Sequence, residues 1–432
     1  MQLPQLFRLR QTFARPVVED IPATVEAELA KLNLRQIVKP GETVAVTAGS
    51  RGIANIKVII KGIIDHLKSI GAKPFIVPAM GSHGGGTAEG QVGVLASYGI
   101  TEEYCGCPIK ASMETIVVCQ APEGFPVHFD KLASEADHVL VCGRVKAHTD
   151  FVGEIQSGLM KMMLIGLGKH EGAKIYHRAI RAHSFPQIVR SVAREVLSKC
   201  NILCGLAIIE NGYDETAQIT AVAASEIEER EKELLVIANR LLPSLPFDHA
   251  DVLIIDRIGK NISGAGMDTN IVGRKFNDHS ATGEETPRIT RIVIRGLTEE
   301  THGNACGIGM SEFCLTRALD QMDRDITNIN AVTSGHTTAG MIPLYYDTDR
   351  EILQHTMQTI GLTEPPDAKI MWIPHTLKID EVVCSAAYLE MAKLLPSAEI
   401  VSGLHDIPFD ENEMLPEVED WVCRGLATID KT

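Results

Sequence analysis

The chain has 432 residues, with 41 Lys and Arg against 56 Asp and Glu, and a formal charge of −15 at pH 7. Apolar residues make up 45% and charged residues 22%, a globular composition that excludes a disordered chain. The acidic balance argues against nucleic acid as a partner, because phosphate affinity rests on Lys and Arg.

No apolar run approaches the roughly 18 residues that cross a bilayer. The start, MQLPQLFRLRQTFARP, has no apolar core followed by a cleavage site, so a cytoplasmic protein with no membrane partner is expected. In chain order, ETVAVTAG (42–49) reads as a short buried strand followed by a Gly-Ser-Arg-Gly turn. IANIKVIIKGIIDHLKSIG carries a helical apolar stripe (Ile53, Ile56, Ile60, Ile63, Ile64, Leu67) closed by Gly71. KPFIVPAM is a second strand, GSHGGGT a second glycine turn and AEGQVGVLASYG a second helix. ADHVLVCG (136–143) is another strand, leading into the polar loop VKAHTDF. A helix from Phe185 to Ser198, a strand at ILCGLAIIE and a charged amphipathic helix over 225–242 follow.

LPSLPFDH, with two prolines, marks a hinge. Beyond it DVLIID, the loop RIGKNISGAGMDTN, RIVIRGL, a helix from Gly309 to Met322 and KIMWIP repeat the same grammar. Strand–turn–helix units in series predict two α/β domains with mainly parallel sheets. The first spans 1–247 and the second 248–432, and residues 410–432 can pack back on the first. Ligands of such sheets gather at the carboxyl ends of strands, where both glycine turns fall. Ten dispersed cysteines lack the CxxC pairs of a zinc knot and read as reduced packing thiols.

The polar positions on post-strand loops are Arg51, His83 and His148, with Lys161 and His177 close behind. A single histidine is more often a hydrogen-bonded structural residue. Two at the ends of neighbouring strands can instead serve as acid and base on opposite sides of one substrate carbon. Arg51 has the fork to hold a carboxylate, its bland alternative being an ion pair; Lys260 is a second candidate cation, otherwise a solvated side chain. The backbone at Ser157-Gly158, or at Gly84-Gly85-Gly86, can cradle a phosphate. Asp150, Glu154, His170, His183, His302, His336, His375, Asp268 and Asn270 take the structural reading.

GSHGGGT resembles the GTHR-type segment of the nickel-pincer lactate racemases. HTDFVGEIQSGLMKMMLIGLGKHEGAKIYHR is similar to that family's cofactor-binding segment, and GMDTN resembles its LDxN segment. SGLMK stands where the family has SGGAK, and His177 lies sixteen residues beyond Lys161, the spacing the family uses.

The resemblance implies a racemase or epimerase of a small 2-hydroxy acid, with its active site in a cleft between the two domains. It implies a nickel-pincer nucleotide (pyridinium-3-thioamide-5-thiocarboxylic acid mononucleotide) joined to Lys161, beside Ser157 and Gly158, with His177 as the protein's nickel ligand. His83 and His148 would be the acid/base pair, and Arg51 and Lys260 would bind substrate. A homo-oligomer is compatible with it. Ala48-Gly49-Ser50 replaces the family's Asp-His-Thr, Gly84 replaces the arginine of GTHR, and Lys146 stands at an acidic position. These departures bear on lactate as substrate more than on the cofactor. Two other readings remain: a cofactor-free homologue that binds a small anion or a protein partner, and a metal-dependent hydrolase using His83, His148 and His177.

Overall fold

A computed structural model of the chain describes residues 1–50, 52–149, 151–180, 182–274 and 285–423. Its strands, in order, are β1 (Leu6–Gln11), β2 (Thr43–Ala48), β3 (Lys73–Pro78), β4 (Thr115–Gln120), β5 (Pro126–Asp130), β6 (His138–Arg144), β7 (Ile202–Glu210), β8 (Thr216–Ala223), β9 (His249–Ile255), β10 (Arg288–Ile294), β11 (Phe313–Leu315), β12 (Leu344–Tyr346), β13 (Ile370–Ile373), β14 (Glu381–Ser385) and β15 (Ala398–Ile400). They fall into two units: Ala14–Leu242, and Met1–Phe13 together with Pro243–Thr432.

The unit Ala14–Leu242 is built on a five-stranded sheet ordered β3-β2-β6-β7-β8, parallel except for the β7–β8 pair. Its parallel strands are buried along nearly their whole length because helices cover both faces. Side chains that alternate along each strand feed two cores. Val44, Val46, Leu140, Leu206 and Ile208 face the helices Ile21–Ala30 and Ile56–Ser69. Val77, Val139, Val141, Ala207 and Ile209 face the helices Phe185–Lys199 and Ile227–Leu241. The Ile56–Ser69 helix buries Ile59, Ile60, Ile63, Ile64 and Leu67, each contributing about 1.5–3 kcal/mol. It ends at Gly71, whose φ of +89° suits glycine. A β4–β5 hairpin, not expected from the sequence, joins the second of these cores through Val127 and Phe129.

The second unit carries an eight-stranded sheet ordered β12-β11-β10-β9-β13-β14-β1-β15. The five strands from β12 to β13 run parallel, and β14, β1 and β15 add on antiparallel. Three differences from expectation follow. Residues 1–13 belong here and not to a domain spanning 1–247, because β1 pairs with β14 from Leu6↔Ser385 to Arg10↔Glu381 and buries Phe7 and Leu9 in this core. The helix expected over Gly309–Met322 contains a strand: Phe313 and Cys314 pair with β10, Leu315 pairs with β12, and only Thr316–Asp320 remains helical beyond them.

The C-terminal segment also packs on this unit. Leu415, Val418 and Trp421 join its core, and Trp421 stacks on Trp372 at 5.8 Å. The buried Arg295 donates to the carbonyls of Leu415 and Pro416, and Asp256 accepts from the Val418 amide at 2.6 Å. The nine described cysteines are free thiols. No helix among the described residues is long and apolar enough to cross a membrane.

Candidate active site

In the unit Ala14–Leu242, three parallel strands deliver their loops side by side. β2 lies between β3 and β6, so the loops carrying His83 and His148 leave strands separated by about 10 Å, two strand spacings. Ser50, just past β2, bridges part of that gap: its hydroxyl shares a short hydrogen bond with Nδ1 of His83. Tyr98 holds the same turn by donating to the Ser50 carbonyl at 2.6 Å. His83 itself is exposed. Gly84, at φ +67°, has backbone of Gly90 and Gln91 2.6 Å from where a Cβ would stand, so the arginine found there in the GTHR pattern cannot be accommodated in this turn.

His148 is half-buried and held differently. Its amide donates to Oε1 of Gln156 at 2.7 Å, and its ring lies 4.8 Å from Phe151 and 5.2 Å from Phe185, which stack on each other at 4.2 Å. Paired backbone bonds between Lys146 and Ser157, 2.9 and 3.2 Å, fold the loop back on itself. Ser157 thereby arrives beside Lys161, whose Nζ donates to its hydroxyl at 3.4 Å and lies 5.9 Å from the centroid of Phe185. Lys161 and His148 therefore meet on one aromatic ring, that of Phe185, which the sequence marks only as the start of a helix.

The turn bearing Lys161 is fixed from below by Glu231. This carboxylate, 1% exposed, accepts the Met160 amide at 2.9 Å, and a Cβ at Gly158 would stand 2.5 Å from it. Burial pushes its carboxyl up to about 7, against the pull of the Met160 and Leu159 amides. Glu231 sits on the buried stripe of its own helix with Ile227, Leu234, Leu235 and Ala238, so an acidic residue on an apolar face was its legible signal. After Lys161 the chain makes a wide π-helical turn, Met162–Gly166, and then the helix Lys169–Ala179, which contains His177. π-turns recur at functional sites.

The remaining candidates separate. Arg51 and Asp150 lie outside the described residues, and the side chain of His177 is not described. Lys260, in the other unit, donates to the carbonyl of Gly264 in its own loop. Asp268 caps the Asn270 amide at 2.9 Å, and Glu154 pairs with Arg190 at 2.7 Å. Among the described residues no group of three His, Cys, Asp or Glu side chains is placed to hold a metal. Around Lys161 the structure brings together a half-buried amine, an aromatic face, a hydroxyl, and a glycine where no side chain has room.

A family model described as the lactate racemase N-terminal domain matches residues 9–187. The chain carries a lactate racemase-like N-terminal domain. That match takes in Arg51, His83, His148, Ser157, Gly158, Lys161 and His177. Among solved structures, the lactate racemase apoprotein from Thermoanaerobacterium thermosaccharolyticum is similar in fold, with a TM-score of 0.52 and 13% identity. The likeness covers 87% of this chain and 99% of that one. Comparison with curated protein sequences gives no match.

Proposed function

We propose that this lactate racemase-like chain is a racemase or epimerase of a small 2-hydroxy acid that works with a nickel-pincer nucleotide. The observation that carries the reading is the meeting of Lys161 and His148 on Phe185, within the segment that matches the family. Lys161 would hold the group covalently, Ser157 and Gly158 would flank it, and His177 would give its imidazole to nickel. When bound, the group supplies the reversible hydride acceptance that links a 2-hydroxy acid to its planar 2-oxo acid.

The protein's own residues manage protons and orientation. His83, with Nδ1 engaged by Ser50, exchanges the hydroxyl proton of one enantiomer through Nε2. His148, set on a different strand end, exchanges that of the other. Two bases are needed because the two enantiomers present their hydroxyls to opposite sides. Phe151 and Phe185 exclude water from one flank of His148. Arg51, next to Ser50 in sequence, is the proposed carboxylate partner, since Lys260 is engaged by its own loop.

The test is intact-mass analysis of protein made in a host that builds the nucleotide, followed by polarimetry with pairs of 2-hydroxy acids. An adduct on Lys161 that disappears in Lys161→Ala, together with loss of optical rotation, is expected. Racemisation by protein lacking the adduct would overturn the proposal.

A further inference from the structure

Lys169 is 0% exposed and stands in the left-handed region at φ +53°, a conformation that costs a non-glycine residue on the order of 1 kcal/mol or more. Such strain persists only where the surroundings over-determine it. Here they do. Nζ of Lys169 lies 2.8 Å from Oδ2 of Asp130, itself 1% exposed on the side chain, in the geometry of an ion pair more than of an aligned hydrogen bond. The same ammonium donates to the carbonyl of Pro78 and, at 3.4 Å, to Oε1 of Gln91. Gln91, also fully buried, passes the contact on: its Nε2 donates to the carbonyls of Gly81 at 3.0 Å and His83 at 3.4 Å.

The acceptors are the main-chain carbonyls of Pro78, the last residue of β3, and of Gly81 and His83 in the loop that β3 feeds, the loop that presents His83. Lys169, for its part, opens the helix that contains His177 and follows the turn that carries Lys161. We infer that Lys169, relayed by Gln91, is a positioning residue that sets the His83 loop against the Lys161–His177 segment. The inference rests on the proposed function for its meaning, but its geometry does not require it. An ion pair alone would need only Asp130, whereas this ammonium also holds the end of β3 at Pro78 and, through Gln91, the Gly81 and His83 carbonyls of the loop that follows. Because an ammonium has three donors and no acceptor, replacing it by an isosteric apolar chain releases all of these contacts at once.

The experiment uses the full chain without cofactor or substrate, and compares wild type, Lys169→Met, Lys169→Met with Asp130→Asn, and Gln91→Leu. Two quantities are read: diethyl pyrocarbonate labelling of His83 by peptide mass spectrometry, with the exposed His249 of the other unit as reference, and amide exchange over 79–91. Lys169→Met is expected to change His83 labelling about threefold or more and to speed exchange in 79–91 about tenfold relative to the rest of the unit. Adding Asp130→Asn, which keeps an oxygen for the Ala133 amide, restores the thermal midpoint but not the His83 signal. Gln91→Leu reproduces the local effect while both Lys169 and Asp130 remain in place.

The inference is overturned if the double variant restores labelling and exchange along with stability, or if every variant labels His83 as wild type does. Should Lys169→Met fail to fold, the double variant and Gln91→Leu carry the same decision. A missing adduct on Lys161 would sink the proposed function and leave this result standing, and the reverse also holds.

Discussion

Lys169 and Arg295 are both wholly buried cations, one in each unit, and both reach main-chain carbonyls of a distant segment. Arg295 uses a rigid fork: it pairs with Asp349 at 2.8 and 3.0 Å and with Asp256, and donates to Leu415 and Pro416. The segment it grips ends in core, with Trp421 on Trp372. Lys169 grips with a single nitrogen, and its loop ends in an exposed histidine instead. The same device, a desolvated cation matched to carboxylate and carbonyls, thus holds a core-forming segment in one unit and a loop with an exposed histidine in the other. What differs is the object held, not the chemistry of holding.

The largest effect should come from breaking the permanent clasp. Arg295→Met leaves Asp256 and Asp349 buried without their cation and is expected to cost about 3–5 kcal/mol. Both tryptophans of the chain, Trp372 and Trp421, lie in that unit, so urea unfolding followed by tryptophan fluorescence reads it directly. An unchanged midpoint would show that the clasp is ornamental. Next in size is Gly158→Ala, whose new Cβ would press on the Glu231 carboxylate; about 1–3 kcal/mol of destabilisation is expected by circular dichroism. Full tolerance would mean that Glu231 does not support the Lys161 turn.

A pH experiment sharpens the contrast further. Glu231 has its carboxyl raised from an ordinary value near 4.5 to about 7, so between those values the folded protein binds the proton more tightly than the unfolded chain. Its contribution therefore favours folding below about pH 4.5 and is progressively lost as pH rises to about 7. Glu231→Gln should flatten that part of the stability profile, and a profile of unaltered slope would contradict the burial argument. The smallest effect is expected for Ser50→Ala, about 0.5–1.5 kcal/mol or less, because its bond to His83 is near solvent. Its signature is a displaced His83 ring resonance by NMR; an identical resonance would remove Ser50 from the site.

The sequence alone established what depends on local pattern. Apolar runs and glycine turns located β2, β3, β6 and β7, and the rule that ligands gather at strand ends pointed to the loops of His83 and His148. The motif around Lys161 and His177 was legible as a family resemblance. Only the tertiary structure decided the pairings that cross hundreds of residues: β1 with β14, β11 drawn out of an expected helix, and the C-terminal segment laid on its own unit's sheet. The same holds for Phe185 between His148 and Lys161, for Glu231 under Gly158, and for Lys169 beneath the His83 loop. Periodicity encodes which face of an element is apolar, but it does not say which partner will cover it. Pairing partners are selected by packing and by the need to satisfy every buried polar group, and those are properties of the assembled chain.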